Sequence, residues 1–189
     1  VPFANYWVLV GSLTVNGVKM SKSLGNFMTI KDALKLYTPE AIRYFILSSH
    51  YRGPIDFSEQ ALLAAQTGLN RLNNTVRKLR RWTRDSVPDT QDWEADLPNI
   101  ASLEDFRKDF KAAMDDDFNT PQALATIFSL AKAINRVLDE EPSSNLATLT
   151  AMDKMVSELA GDVMGILPTT IGTQRVGISG ERLVDNLME

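Results

Sequence analysis

The chain has 189 residues, 44% of them hydrophobic and 23% charged, with no cysteine, one histidine and a formal net charge of −4. This composition is typical of a soluble globular protein and excludes collagen-like, disordered and disulfide-built chains. Without Cys and with a single His, the chain cannot form a thiolate zinc site or any motif that needs two imidazoles.

The N-terminal segment is apolar but short. Its longest apolar run, near Trp7 to Val10, is far too short to span a bilayer, and no basic-then-apolar leader opens the chain. We therefore expect a cytoplasmic protein. Because the first residue is Val1 and the apolar stretch begins almost at once, we also expect a piece of a longer protein.

Charge is distributed unevenly along the chain. Residues 1–84 hold 12 Lys or Arg against 4 Asp or Glu, whereas residues 85–189 hold 8 against 20. A basic front half favours contact with a polyanion in that half only. A pattern of solvated surface charge is the alternative.

The first predicted element is a β-hairpin between Gly11 and Met20, with Asn16 and Gly17 supplying the positive φ angles of a tight turn. Two short helices are then predicted between residues 30 and 50. The first has capping-box spacing at Thr29 and Asp32, and the second starts at Thr38 and Pro39. The second helix is expected to bury Ile42, Phe45 and Ile46.

After a break at residues 50–57, a long helix capped by Ser58 is predicted to end around Arg84. Its apolar residues lie near one face: Leu62, Leu69, Leu72, Val76 and Leu79. Residues 85–100 are rich in Asp, Pro and Gln and are predicted to form a linker anchored by Trp93.

Three further amphipathic helices complete a predicted four-helix bundle. One starts at Ser102 and Asp105, and the next opens at Thr120 and Pro121, where Thr120 is the expected cap. Their apolar faces are Leu103, Phe106, Phe110 and Met114; then Leu124, Ile127, Phe128, Ala131, Ile134 and Leu138; then Leu149, Met152, Val156, Leu159 and Val163, before Pro168. A last helix is expected to start at Ser179.

The strongest chemical signal is the run Lys19-Met20-Ser21-Lys22-Ser23, followed closely by Gly25. Two ammonium groups and two hydroxyls in five residues, with a glycine that lets the backbone move, suit a loop that binds polyphosphate. Such a loop can close on a leaving pyrophosphate in the transition state. The alternative is a solvated surface loop.

The word KMSKS is the second signature of the class I aminoacyl-tRNA synthetases. Together with AIRYFILSSHYRGPIDFSE from residue 41 and MDDDFNTPQAL from residue 114, the run KMSKSLGNF makes the chain resemble the cysteinyl-tRNA synthetase family. The resemblance extends from about Phe3 to Leu138, and the opening FANYW fits it.

The resemblance implies activation of cysteine by ATP with Mg²⁺, followed by transfer of the cysteinyl group to tRNA(Cys). It implies that Lys22 contacts ATP, that Lys19 and Lys22 are the catalytic residues, and that residues 19–23, including Met20, Ser21 and Ser23, form the ATP-binding loop. It further implies a Rossmann-like catalytic domain whose end is present here. We expect a monomer with no membrane partner.

Parts of the family pattern are missing. One histidine cannot supply the H-I-G-H-type motif, and the family's zinc ligands, Cys, His and Glu, would lie upstream of Val1. No metal site is therefore expected in this chain, which is predicted to be inactive alone. We expect the family's anticodon-reading segment to lie at least in part beyond Glu189, and the C-terminus therefore to be cut as well.

A second candidate interface is the end of the long helix, where six positive charges and no negative ones occur within fourteen residues. They are Arg71, Arg77, Lys78, Arg80, Arg81 and Arg84. Such cations could bind tRNA phosphates, or they could form a solvated face that favours the C-terminal end of the helix dipole.

Three weaker signals have structural interpretations. The carboxylates of residues 115–117 could bind a hard metal ion, but three successive side chains diverge, and their charge suits the start of the next helix. His50 is expected to be structural, with a contact to substrate or tRNA as the alternative. Ser129 and Lys132 have S-x-x-K spacing, which we attribute to chance because no partner motif accompanies them.

The predicted fold is mainly α, with a short hairpin and signature loop followed by a helical bundle. We expect residues 1–57 to end a catalytic domain, residues 58–168 to form a tRNA-binding bundle, and residues 169–189 to form a linker and the truncated start of a C-terminal region. Two alternative functions are a ligase that joins cysteine to an amino-sugar and a non-catalytic tRNA-binding module.

Overall fold

The computed structural model describes residues 3–85, 97–140 and 146–168. The predicted anchor Trp93 lies outside these described residues. So does the predicted C-terminal segment of residues 169–189, with its helix at Ser179. In the described part the fold is mainly α, as predicted, with one small sheet.

The sheet has three strands in the order β2-β1-β3. β1 (Leu13–Val15) and β2 (Val18–Lys19) are antiparallel, and the turn between them has φ of 50° at Asn16 and 77° at Gly17. The predicted hairpin and its turn are therefore confirmed. β3 (Ile55–Asp56) pairs with β1 in parallel, Leu13 opposite Ile55, and was not predicted.

Asp56 ties the third strand to the hairpin. Its Oδ1 accepts hydrogen bonds from Thr14 Oγ1 at 2.6 Å and from the backbone N–H of Gly17 at 2.7 Å. The hydrogen bond from Thr14, followed by that from Gly17, lowers the pKa of Asp56 below its ordinary value. The hairpin turn is thus held by a side chain 39 residues further along the chain.

Two short helices connect the hairpin to β3. α1 (Ile30–Leu36) is capped by Thr29, which accepts from Asp32 N, and α2 (Pro39–Leu47) is capped by Thr38. Both predicted caps are confirmed. The expected burial of Ile46 is wrong: its side chain is 55% exposed, because the buried face of α2 follows the i, i+4 pair Ala41 and Phe45.

Four long helices form the predicted bundle: α3 (Glu59–Asp85), α4 (Leu97–Asp115), α5 (Thr120–Glu140) and α6 (Leu146–Val156). Ser58 caps α3 by accepting from Ala61 N at 3.3 Å. Apolar residues from all four helices share one core that also receives Ala41 of α2. The predicted apolar face of α3 is buried throughout, so the 3.6-residue periodicity located it correctly.

The start of α4 and the cap of α5 differ from the prediction. α4 begins at Leu97, not near Ser102, since a proline at the second position is tolerated in a first turn. The cap of α5 is Asn119 and not Thr120, because Asn119 Oδ1 accepts from Gln122 N at 3.2 Å. The predicted linker is correspondingly shorter at its C-terminal end.

α6 continues into a π-helix (Ser157–Val163), in which Met164 N donates to Leu159 O. The wider i to i+5 turn changes the helical period. Val163 is consequently 53% exposed, contrary to the prediction, whereas Leu159, Ala160 and Met164 are buried. Within the described residues, no helix combines the length and apolarity that crossing a membrane would require.

Candidate functional site

The signature loop leaves β2 at the edge of the sheet and precedes α1. Lys22–Leu24 form a single 3₁₀ turn that ends at Gly25, whose φ is 68° and whose N–H donates to Lys22 O. Met20 N donates to Leu13 O at 3.1 Å, which anchors the start of the loop on β1. None of the three residues of the turn is buried. The φ of Gly25 lies in the left-handed region, which favours glycine.

Asn26 closes the loop on itself. Its Oδ1 accepts from Ser21 N at 2.9 Å, and its Nδ2 donates to Lys19 O at 3.2 Å. One half-buried amide therefore holds the first half of the lysine-containing segment, at Lys19 and Ser21. The hydroxyls of Ser21 and Ser23 lie 3.2 Å apart. Residue-type reasoning did not find this role, although Asn26 belongs to the KMSKSLGN run.

Both lysines of the signature are exposed, and no carboxylate among the described residues forms an ion pair with Lys19 or Lys22. Lys22 Nζ lies 5.8 Å from the ring centroid of Phe27. A cation–π contact at an exposed site contributes about 0.5–1 kcal/mol. Lys22 can therefore exchange this contact for a phosphate group at low cost.

The end of α3 presents most of its cations to solvent. At about 3.6 residues per turn, Arg71, Arg77, Lys78, Arg81 and Arg84 lie opposite the buried side of the helix, and all five are exposed. Arg77 also donates to Asn74 Oδ1 at 3.2 Å.

Arg80 differs from the other five. It is half-buried, and its guanidinium donates to Asp153 Oδ1 and Ser157 Oγ, both at 2.9 Å. It therefore joins α3 to α6. Arg107 of α4 reaches the same segment, with NH2 at 2.7 Å from Glu158 Oε2. Two arginines thus fasten the start of the π-helix to two different helices.

The three carboxylates of residues 115–117 do not converge. Asp115 pairs with Lys111 at 3.2 Å, and Asp116 accepts a long hydrogen bond from Asn119. Asp117 instead faces the turn after α2. Among the described residues, no group of three His, Cys, Asp or Glu side chains could hold a metal ion.

Asp117 has three close donors. It accepts from Tyr51 Oη at 2.6 Å, and Arg52 binds both carboxylate oxygens, Nε at 2.5 Å and NH2 at 2.9 Å. The Arg52 hydrogen bonds, followed by that from Tyr51, lower the pKa of Asp117 to about 2. This cluster was not predicted, because its members lie 65 residues apart.

His50 completes the cluster in a structural way. Its ring stacks on Tyr51 with centroids 5.0 Å apart, and its Nδ1 accepts from Arg52 N at 3.3 Å. In a separate part of the bundle, Ser129 Oγ donates to Ala125 O within its own helix. Neither residue takes part in a described arrangement that resembles a hydrolase site.

Two family models match the chain. Residues 1–67 match the tRNA synthetases class I (C) catalytic domain, and residues 109–168 match the DALR domain. The signature loop lies in the first segment and Asp117 in the second. The basic end of α3 lies between the two matched segments.

The chain is similar to proteins named cysteine–tRNA ligase. It is 45% identical over 145 residues to that of Clostridioides difficile, which covers 77% of this chain and 31% of the relative. It is 38% identical over 187 residues to that of Thermococcus gammatolerans, covering 99% and 39%. For that of Thermodesulfovibrio yellowstonii the identity is 43% over 144 residues, covering 76% and 29%. The chain thus spans between 29% and 39% of the length of these relatives.

Among solved structures, the chain resembles LeuRS in the ternary complex of Agrobacterium radiobacter LeuRS, tRNA and LeuAMS. The TM-score is 0.58 at 20% identity, over 84% of this chain and 23% of that chain. At this identity the similarity establishes a shared fold.

Proposed function

The chain belongs to the cysteine–tRNA ligase family of class I tRNA synthetases, and from this premise we propose that it supplies the signature loop and the tRNA-binding bundle of a cysteine–tRNA ligase. The observation that carries the proposal is the loop itself. Asn26 folds it so that the two signature lysines stand in solvent without carboxylate partners among the described residues. Unpaired ammonium groups on a movable loop suit the capture of a polyphosphate.

In the proposed reaction, the carboxylate of cysteine attacks the α-phosphate of ATP, and the bond to the departing pyrophosphate breaks. Negative charge grows on the leaving phosphates, and Lys22, assisted by Lys19, stabilises it. The hydroxyls of Ser21 and Ser23 supply further donors to phosphate oxygens. The 3′-terminal hydroxyl of tRNA(Cys) then attacks the carbonyl carbon of the cysteinyl-adenylate, and AMP leaves.

Closure of the signature loop on a bound phosphate would cost little free energy. Lys22 gives up its exposed contact with Phe27. Gly25, whose φ is 68°, can adopt conformations that residues with a Cβ rarely adopt, so the backbone can move there. Movement of such a loop during catalysis is a general way to exclude water and complete a site.

For tRNA, we propose that the exposed cations at the end of α3 contact phosphates, with Arg71, Lys78 and Arg84 as the principal residues. Arg80 is assigned to packing, because its guanidinium is already bound to Asp153 and Ser157. Phosphate contacts of this kind fix orientation and carry no sequence information directly.

We assign no metal ligand to the residues of this chain. Mg²⁺ is proposed as the ion that accompanies ATP. The donor set here does not fit the family's thiolate zinc site, because the sequence contains no cysteine. We further propose that the protein acts in the cytoplasm, as a monomer, and that residues 1–189 alone do not activate cysteine.

The test is ATP–pyrophosphate exchange by the full-length ligase that carries this sequence. Lys22→Ala should lower the exchange rate at least about a hundredfold, the scale of one transition-state contact. Lys31→Ala, which removes an exposed lysine from α1, is the matched control and should leave the rate within about twofold. An unchanged rate in Lys22→Ala would remove Lys22 from the mechanism.

The same assay separates the alternatives. Cysteine-dependent exchange without charging of tRNA(Cys) would favour the amino-sugar ligase, in which the acceptor differs. Binding of tRNA without any exchange in the full-length protein would favour a non-catalytic module.

A further inference from the structure

Asp117 lies where the two family-matched segments meet. Tyr51 and Arg52 belong to the segment that matches a catalytic domain, and Asp117 belongs to the segment that matches a DALR domain. An exposed ion pair usually contributes little. This carboxylate, however, binds a guanidinium through both oxygens and also accepts a phenol hydrogen bond, which is a more directional arrangement.

The backbone at this corner is unusual. Asp117 has φ of 53° and Phe118 has φ of 52°, so two successive residues with side chains occupy the left-handed region. Such conformations are unfavourable and persist where the surroundings hold them in place. The three close donors to Asp117 are contacts that can do so.

The turn that holds Asp117 is also bonded to the signature-loop sheet. Gly11 N donates to Tyr51 O at 2.7 Å, and Gly11 packs so closely on the Gly53 carbonyl that a Cβ would not fit. Beyond this turn, Ile55 N donates to Ser12 O at 3.1 Å, and Phe57 N donates to Thr14 O at 2.8 Å.

Strand β1 is also bonded to the start of the signature loop. Leu13, which pairs with Ile55, accepts from Met20 N at the start of the signature. Hydrogen bonds and short stretches of backbone therefore connect Asp117 in the bundle, through Tyr51 and the chain from Gly11 to Leu13, to Met20.

We propose that Asp117 is a positioning residue for the signature loop, and that it acts by clamping the Tyr51–Arg52 turn on which the loop-bearing sheet is built. This inference rests on the proposed function. The clamp would fix the position of the loop lysines relative to a tRNA bound along the bundle. Asp117 itself touches no reacting group.

The first test uses amide hydrogen exchange on the 189-residue chain and needs neither ATP nor tRNA. Asp117→Asn removes the charge but keeps a side chain that tolerates left-handed backbone. Exchange at Gly11 N and Met20 N should rise about tenfold or more, while amides of the bundle core, such as that of Leu72, keep their wild-type rates.

The matched control is Asp116→Asn, which makes the same charge change one residue away, at a carboxylate that accepts a hydrogen bond from Asn119. Equal exchange at Gly11 N and Met20 N in the two variants would overturn the proposal. Arg52→Gln tests the clamp from its other side, and should reproduce the effect of Asp117→Asn. A uniform rise over the whole chain in both clamp variants would indicate a purely structural role and would also overturn it.

A second readout connects the clamp to activity in the full-length ligase. Asp117→Asn should lower the kcat of ATP–pyrophosphate exchange about tenfold with little change in the KM for cysteine, because the loop acts on the departing phosphates. If the wild-type protein showed no exchange at all, the proposed function would fail while the amide-exchange result would still stand or fall by itself.

Discussion

The signature loop and the four-helix bundle are held together by different forces. In the bundle, Leu72, Val76, Ile127 and Ile134 are completely buried, and removal of such apolar surface from water is the main source of stability. In the loop, no residue of the 3₁₀ turn is buried, and the side chain of Asn26 holds the loop with one accepted and one donated hydrogen bond. The loop can therefore change conformation without loss of the fold, which closing on a phosphate requires.

The largest expected effect is a loss of stability when a core residue of the bundle is truncated. Leu72→Ala removes a side chain that is 0% exposed from α3, and should lower the free energy of unfolding by about 2–5 kcal/mol through lost burial and a residual cavity. Leu63→Ala on the same helix, where the leucine is 51% exposed, is the control and should cost far less. Urea titrations of the two variants measure the difference, and similar midpoints would contradict the assigned core.

Asn26→Ala tests whether the side-chain amide of Asn26 orders the signature loop. Because both hydrogen bonds of the amide are lost, the free energy of unfolding should fall by only about 1 kcal/mol, whereas exchange at Ser21 N should become fast. Pyrophosphate exchange by the full-length ligase should fall about tenfold. Asn70→Ala, an exposed position on α3, provides the control. A protected Ser21 amide in Asn26→Ala would show that something other than this amide orders the loop.

The smallest effect concerns the surface of the bundle. Lys78→Gln should reduce the slope of log K against log salt for tRNA binding by about one, if its ammonium contacts a phosphate. Lys108→Gln removes an equally exposed lysine from α4, where it pairs with Asp105, and should leave the slope unchanged. Identical slopes for both variants and the parent chain would mean that the cations of α3 form a solvated face.

Local signals in the sequence located most of the fold. The turn type follows from Asn16 and Gly17, both with positive φ, although Asp56 also holds the turn. The caps at Thr29, Thr38 and Ser58 depend on bonds to residues within four positions. The core face of α3 followed from its regular period. The signature lysines were found as a sequence motif, so their exposure on a loop was expected.

The features that sequence reasoning missed depend on partners far along the chain. β3 has only two residues, too few to show an alternation of apolar and polar residues. It forms because it pairs with β1, which lies about forty residues earlier in the chain. Asp117 was interpreted from its neighbouring carboxylates, since nothing local indicates Arg52. Asn119 and Thr120 are both good caps, and only the geometry distinguishes them.

The π-helix after α6 makes chain length more critical than residue identity in that segment. Ser157 and Glu158 are adjacent, yet one reaches Arg80 of α3 and the other reaches Arg107 of α4. Deleting a single residue between positions 157 and 163 would shorten the π-helix and rotate the side chains that follow about the helix axis. Met164 and Ile166 would then rotate out of the core, so a deletion here should be tolerated less well than a substitution at exposed Val163.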